Sequence, residues 1–170
     1  MRVAAIIAAG GRGARLGADR PKQLLTLGGR TILDRSVDAF VGHPRIDEVV
    51  IVAPADLVDG LREAWATCPK PVRVVIGGAR RQDSVASGFA AVDGQVDVVL
   101  IHDAARPFVS ADVIARTLDA AVESGAALAA LPSSDTVKLA ADGEAAPPTV
   151  ERTIPRERVY LAQTPQGFRA

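Results

Sequence analysis

Cysteine is almost absent from the 170 residues, with Cys68 standing alone. That excludes a disulfide within the chain and a thiolate metal cluster, and Cys68 reads as a helix-end thiol with no chemistry of its own. Aromatic residues make up only 4%, so the core has to be assembled from Val, Ile, Leu and Ala, the usual filling of a parallel sheet covered by helices. Net charge is missing too: 20 Lys and Arg balance 20 Asp and Glu. No global basic field draws in nucleic acid or an anionic membrane, and any phosphate recognition must be local. The apolar start, from Val3 to Ala9, is far shorter than the roughly 20 residues that cross a bilayer. It carries one early charge, Arg2, and no cleavage-like segment, so it is not read as a signal peptide and the expected location is cytoplasmic.

What is present is alternation. Five short runs rich in Val, Ile, Leu and Ala read as buried strands: Val3 to Ala8, Val49 to Ala53, Val72 to Ile76, Val98 to Ile101 and Ala126 to Leu131. Between them, Ile32 to Val41, Ala55 to Ala66, Ser84 to Val92 and Ala111 to Ser124 carry apolar residues at helical spacing. Length and pattern predict one domain over residues 1–170, of α/β class, Rossmann-like, with a mainly parallel sheet and helices on both faces. After Leu131 the rhythm breaks. Two β-like runs, Thr136 to Leu139 and Thr149 to Ile154, flank a Gly and Pro-Pro turn. They predict a β-hairpin arm at about 132–155, too polar for a core layer.

In open α/β sheets, ligands sit beyond the carboxyl ends of the strands. The first strand runs into Ala9-Gly10-Gly11-Arg12-Gly13-Ala14-Arg15-Leu16-Gly17, then Arg20-Pro21-Lys22-Gln23. Gly10, Gly11 and Gly13 let backbone amides approach a polyphosphate, and Arg15 and Lys22 supply cations to the same loop. A dinucleotide fingerprint counted from Gly11 requires glycine where Leu16 stands, and an acidic residue where Ala53 and Pro54 end the second strand. It fails twice. A P-loop fails as well, because no Gly-Lys-Ser or Gly-Lys-Thr occurs.

Asp103 follows the strand Val98 to Ile101, where an ionised carboxylate is placed to bind Mg²⁺ on nucleotide phosphates or to cap the next turn. Its neighbour His102 reads as a packed, hydrogen-bonding residue rather than a ligand. Ser84 stands at a helix start, as an N-cap, a nucleotide contact, or both. Arg80 and Arg81 are either solvated or part of the site, and Arg106 either pins its loop or faces a sugar phosphate. Trp65 is read as a core or partly buried helix residue.

Five motifs occur in order: the glycine loop with Arg15 and Pro21-Lys22, Gly77-Gly78-Ala79-Arg80-Arg81-Gln82-Asp83-Ser84, His102-Asp103-Ala104-Ala105-Arg106-Pro107, Ser134-Asp135-Thr136-Val137-Lys138, and Gln163-Thr164-Pro165-Gln166. Together they resemble the nucleotidyltransferases that act as cytidylyltransferases on methylerythritol phosphate and ribitol phosphate, over residues 3–168. Ala9-Gly10-Gly11 leans to the ribitol branch, whereas Ala104-Ala105 and Asp135-Thr136-Val137-Lys138 look more like the methylerythritol branch. The resemblance implies transfer of CMP from CTP to 2-C-methyl-D-erythritol 4-phosphate, in non-mevalonate isoprenoid synthesis. Ribitol 5-phosphate is the alternative acceptor.

It further implies that Ala9, Gly10, Gly11, Gly13, Gly78, Ser84, Asp103 and Ala104 bind the nucleotide, with Mg²⁺ on Asp103 and Arg15 and Lys22 at the α-phosphate. Arg106, Thr136, Arg156 and Thr164 would serve the acceptor. Arg156 is preferred to Arg152 because its spacing to Thr164 fits the motif, and arginine offers a planar fork to a phosphate dianion. The resemblance also implies a homodimer through the arm. The family continues past Gln-Thr-Pro-Gln with segments that are not in this sequence, which leaves a non-catalytic nucleotide-binding fragment as an alternative.

Overall fold

The computed structural model describes residues 1–10, 21–143 and 146–170. Chain contacts divide it into two compact units: a body of Met1–Leu128 with Thr164–Ala170, and a second unit, Ala129–Gln163. The stretch 132–155, expected as an arm, falls within the second unit.

The body is built on β1 (Val3–Ala8), β4 (Glu48–Ala53), β5 (Val72–Ile76) and β6 (Val98–Asp103). β1 lies between β4 and β6 and β5 pairs with β4, all in parallel. Residues of β1, β4 and β6 are almost entirely buried, as two-sided burial of a parallel sheet requires. On one face, Leu33, Val37 and Phe40 of α1 (Ile32–Val41), Val58 and Leu61 of α2 (Ala55–Trp65), and Ile114 and Leu118 of α4 (Ala111–Ser124) pack on Val3, Ala5 and Ile7. On the other face Ile6, Val50, Val52, Val99 and Ile101 meet Val85 of α3 (Arg81–Ala90). A β-carbon added at Gly88 would come within 2.6 Å of Ile6 and 2.8 Å of Val52, so the absent side chain lets α3 lie directly on the sheet. The predicted helices on both faces are therefore present, three against one.

Local chemistry sets the helix starts. Thr31 and Asp34 form a reciprocal capping box at α1, and Ser110 accepts from the Val113 amide at α4. Gly125, at φ +88°, ends α4 where an L side chain would be strained. α3 begins earlier than the sequence reading placed it. Its first residue is Arg81, because the Asp83 carboxylate accepts from the Arg80 amide at 3.1 Å, so Ser84 is not the N-cap.

Three further features differ from expectation. Gly28 (φ +57°) and Gly29 (φ +78°) close a small hairpin of β2 (Thr26–Leu27) and β3 (Arg30–Thr31), which the apolar periodicity did not reveal. β7 (Ala126–Pro132), expected as a buried strand, alternates between exposed and half-buried residues. A tenth strand, β10 (Tyr160–Arg169), enters the six-stranded sheet between β6 and β7, antiparallel to β6. Its Pro165 and Gly167 conceal it from a reading by strand propensity.

In the second unit, β8 (Val137–Ala140) and β9 (Val150–Ile154) form the antiparallel hairpin expected there. No described residue of 129–163 is buried. Leu131, Leu139, Val150, Tyr160 and Leu161 are exposed. No helix among the described residues is long and apolar enough to cross a membrane.

Candidate active site

The carboxyl ends of the parallel strands part to form a cavity of about 610 Å³, within the range of small-molecule sites. Backbone hydrogen bonds hold its floor: Ala9 N–H to Val52 O at 2.7 Å, Gly77 N–H to Ala53 O at 2.9 Å, and Ala104 N–H to Ala8 O at 3.0 Å. From α1, the buried Ser36 hydroxyl donates to Ala104 O at 2.8 Å. Of the sequence-derived candidates, Ala9, Gly10, Lys22, Gly78, Ser84, Asp103, Ala104 and Arg106 line this one cavity. Gly11, Gly13 and Arg15 lie outside the described residues.

Ser84, 4% exposed, accepts from the Gly78 amide at 3.1 Å and reaches the Arg80 carbonyl at 3.3 Å. It clamps the turn between β5 and α3 instead of capping the helix. A β-carbon on Gly78 would collide with the side chain and backbone of Asp83. The Gly77-Gly78 pair is thus required by close packing, which also leaves its backbone along the cavity wall.

Lys22 opens a 3-10 turn, Lys22–Leu24, that Pro21 precedes. The next residue, Gln23, was quoted in the motif but given no role. It is 2% exposed, and its Nε2 donates to Ala9 O at 2.7 Å. Its Oε1 has no partner among the described residues. Gln23 therefore ties the turn carrying Lys22 to the end of β1. A polar residue directly before Leu24-Leu25 was the available signal.

Beneath Asp103 lies a chain of hydrogen bonds with a defined direction. His102 is fully buried, with its Nε2 3.0 Å from Arg106 O and its Nδ1 2.9 Å from the Thr164 hydroxyl. A carbonyl only accepts, so Nε2 carries the proton and Nδ1 accepts from Thr164. Thr164 Oγ1 in turn accepts from the Asp103 amide at 3.3 Å. Burial lowers the His102 pKa from the usual 6.5 to about 4, outweighing the Arg106 carbonyl and Asp103, which favour the proton. His102 is packed and hydrogen-bonded, in agreement with its reading. Thr164, grouped with the acceptor residues, is 8% exposed and belongs to the body. Its hydroxyl is committed to supporting Asp103.

Asp103 Oδ1 accepts from Arg81 Nε and Nη2 at 3.2 and 3.1 Å, and Oδ2 is 3.5 Å from Arg106 Nε. No group of three His, Cys, Asp or Glu able to hold a metal occurs among the described residues. Asp103 is the one carboxylate among the described lining residues, beside Lys22, Arg80, Arg81 and Arg106. The wall is strongly cationic, suited to a polyphosphate.

Thr136 and Arg156 fall in the second unit. Both are exposed, and Arg156 Nη1 donates to Ser134 O at 3.2 Å. Arg152, the rejected alternative, is on β9 in an ion pair with Glu151 at 3.8 Å.

Residues 3–170 match the family described as 2-C-methyl-D-erythritol 4-phosphate cytidylyltransferase. The chain belongs to this family. It is 50% identical to a bifunctional enzyme IspD/IspF of Anaeromyxobacter sp. over 169 residues, 99% of this chain and 42% of that protein. It is 43% identical to the 2-C-methyl-D-erythritol 4-phosphate cytidylyltransferase of Geobacter metallireducens, covering 99% of this chain and 73% of the relative. Its fold matches the crystal structure of 4-diphosphocytidyl-2C-methyl-D-erythritol synthase from Anaerococcus prevotii with a TM-score of 0.85 and 33% identity, over 99% of this chain and 70% of that one. The chain thus spans about two fifths of the bifunctional relatives and about seven tenths of the single-function ones.

Proposed function

We propose that the chain transfers CMP from CTP to 2-C-methyl-D-erythritol 4-phosphate, releasing pyrophosphate and giving 4-diphosphocytidyl-2-C-methyl-D-erythritol for isoprenoid synthesis in the cytoplasm. The observation that carries this reading is the convergence of Lys22, Gly78, Ser84, Asp103 and Arg106 on one cavity in a chain of this family. The acceptor is a phosphate monoester, ionised at neutral pH, so its oxygen attacks the α-phosphorus without a catalytic base. The bond from that phosphorus to the bridging oxygen of the β-phosphate breaks, and pyrophosphate takes the electron pair. The protein's part is to hold two anions together and to neutralise charge on the α-phosphate. Lys22 does this from the described wall, and Arg15 is assigned the same task. The backbone at Ala9, Gly10, Gly11, Gly13, Gly78 and Ala104, with Ser84, receives the nucleotide.

Asp103, the one carboxylate among the described lining residues, would hold a Mg²⁺ ion arriving with the nucleotide, a hard cation suited to an oxygen donor. When bound, the ion supplies charge neutralisation on the phosphates.

Thr136 and Arg156 bind the acceptor phosphate in this reading, with Arg106 on the body side. The second unit is read as the dimerisation arm. Its exposed Leu131, Leu139, Val150, Tyr160 and Leu161 favour cover by the same unit of a second copy about a two-fold axis, each arm completing its neighbour's acceptor site. The test is pyrophosphate release from CTP and Mg²⁺ with each sugar phosphate supplied separately. Release with 2-C-methyl-D-erythritol 4-phosphate is expected. Release only with ribitol 5-phosphate, or CTP binding without release, would overturn the assignment.

A further inference from the structure

Arg80 and Arg81 are adjacent and both line the cavity, yet their guanidinium groups are used differently. Arg80 folds back on its own helix, meeting Asp83 at 2.8 and 3.0 Å, a local pair of the kind that contributes little in water. Arg81 reaches 22 residues along the chain to Asp103, placing two N–H groups on a single carboxylate oxygen, Oδ1, with Nη2 also 3.5 Å from Gln166 Oε1 on β10. One side chain thus joins the start of α3, the end of β6 and β10. The carboxylate it holds is the one anion among the described lining residues. Nothing in the Arg80-Arg81 dipeptide distinguishes the two; the strand ends do.

We propose that Arg81 is a positioning residue of the nucleotide site that acts through Asp103, fixing the carboxylate and cancelling its repulsion of the triphosphate until a cation takes over that role. This rests on the reading of the cavity as the CTP site. A triphosphate entering beside an unpaired carboxylate meets a like charge in a partly desolvated wall, where such repulsion is much stronger than in water. With Arg81 on Oδ1, that charge is already balanced. A divalent ion arriving with the nucleotide needs a carboxylate oxygen and competes for the same position, so Arg81 contributes most when the ion is absent. Arg106, 3.5 Å from Oδ2, leaves Asp103 with one cationic neighbour when Arg81 is removed, so the loss is partial.

The test is a double-mutant cycle read by calorimetric CTP binding, in EDTA and again in Mg²⁺. The Arg81 side chain is half exposed, so Arg81→Met leaves the core intact. In EDTA, Arg81→Met is expected to weaken CTP binding about tenfold, and Asp103→Asn in the same chain to remove most of that loss. In Mg²⁺ the loss shrinks to within about threefold, because the ion replaces the guanidinium. Arg81→Lys, which keeps the charge but not the fork, should fall between. An equal loss with and without Asp103→Asn would mean that Arg81 touches the phosphates directly and would overturn the proposal. So would an Arg81→Met chain that binds CTP as wild type does in EDTA. A wild-type chain that binds no CTP in either condition defeats the nucleotide reading itself, and this proposal with it.

Discussion

The body and the second unit solve opposite problems. The body withdraws Ile6, Ile7, Leu33, Phe40, Ile51, Leu100, Ile114 and Leu118 wholly from water, and its cavity is anchored to those strands by backbone hydrogen bonds. The second unit buries none of its described residues and presents its apolar side chains to solvent. A site that must hold charges within a fraction of an ångström needs the first kind of support. A two-stranded hairpin is marginally stable alone, and Thr136 and Arg156 flank the one formed by β8 and β9. Under the proposed function, that difference divides the reaction between the two units: nucleotide chemistry on the buried strand ends, acceptor recognition on the exposed unit.

The contrast is broken most severely by emptying the core. Leu118→Ala, at a fully buried position, should cost about 2–5 kcal/mol in chemical denaturation; a loss below 1 kcal/mol would deny the body its self-sufficiency.

Acid is the next lever. The His102 pKa is depressed from 6.5 to about 4, so the unfolded chain takes up the proton first. The stability associated with neutral His102 is complete above pH 6.5, declines below it and is gone under about pH 4, a total of about 3 kcal/mol. A His102→Gln variant should lose that part of the slope between those pH values. Identical slopes in the two proteins would show that His102 does not gate the acid stability of the Asp103 turn.

Removing one of the cavity's cations, Lys22, tests chemistry apart from folding. Lys22→Ala should lower turnover by about 10² with an unchanged melting temperature, and near-normal turnover would take Lys22 out of the mechanism. The smallest effect lies on the second unit. Val150→Ala, 61% exposed, should change the stability of dilute protein by less than about 0.5 kcal/mol while weakening self-association in sedimentation. A large stability loss at low concentration would mean that the unit has a core of its own.

Much of the body was legible in the sequence because its strands are continuous apolar runs and its helices have an apolar face. The glycine and acidic landmarks at the strand ends could be read for the same reason, since Asp103 is the last residue of β6 and Gly77-Gly78 follows β5. What escaped depends on contacts between distant segments. β10 is a strand because β6 offers it an edge, despite Pro165 and Gly167. Ser84 is held by Gly78 and not by a helix end, and Gln23 matters through Ala9, fourteen residues away. Arg81 differs from Arg80 only because Asp103 lies opposite it. The exposure of β7 was hidden as well, because its run of Ala and Leu has the composition of a buried strand.

The division of labour is tested most directly by the steady-state kinetics of Arg156→Ala, with each substrate varied in turn and pyrophosphate measured. If the body alone receives the nucleotide and the second unit serves the acceptor, KM for 2-C-methyl-D-erythritol 4-phosphate should rise by about 10- to 100-fold, the worth of a charge-assisted arginine-phosphate contact. KM for CTP should stay within about twofold. A variant whose KM for CTP rises as much as that for the acceptor, or one that saturates with acceptor as wild type does, would contradict the account.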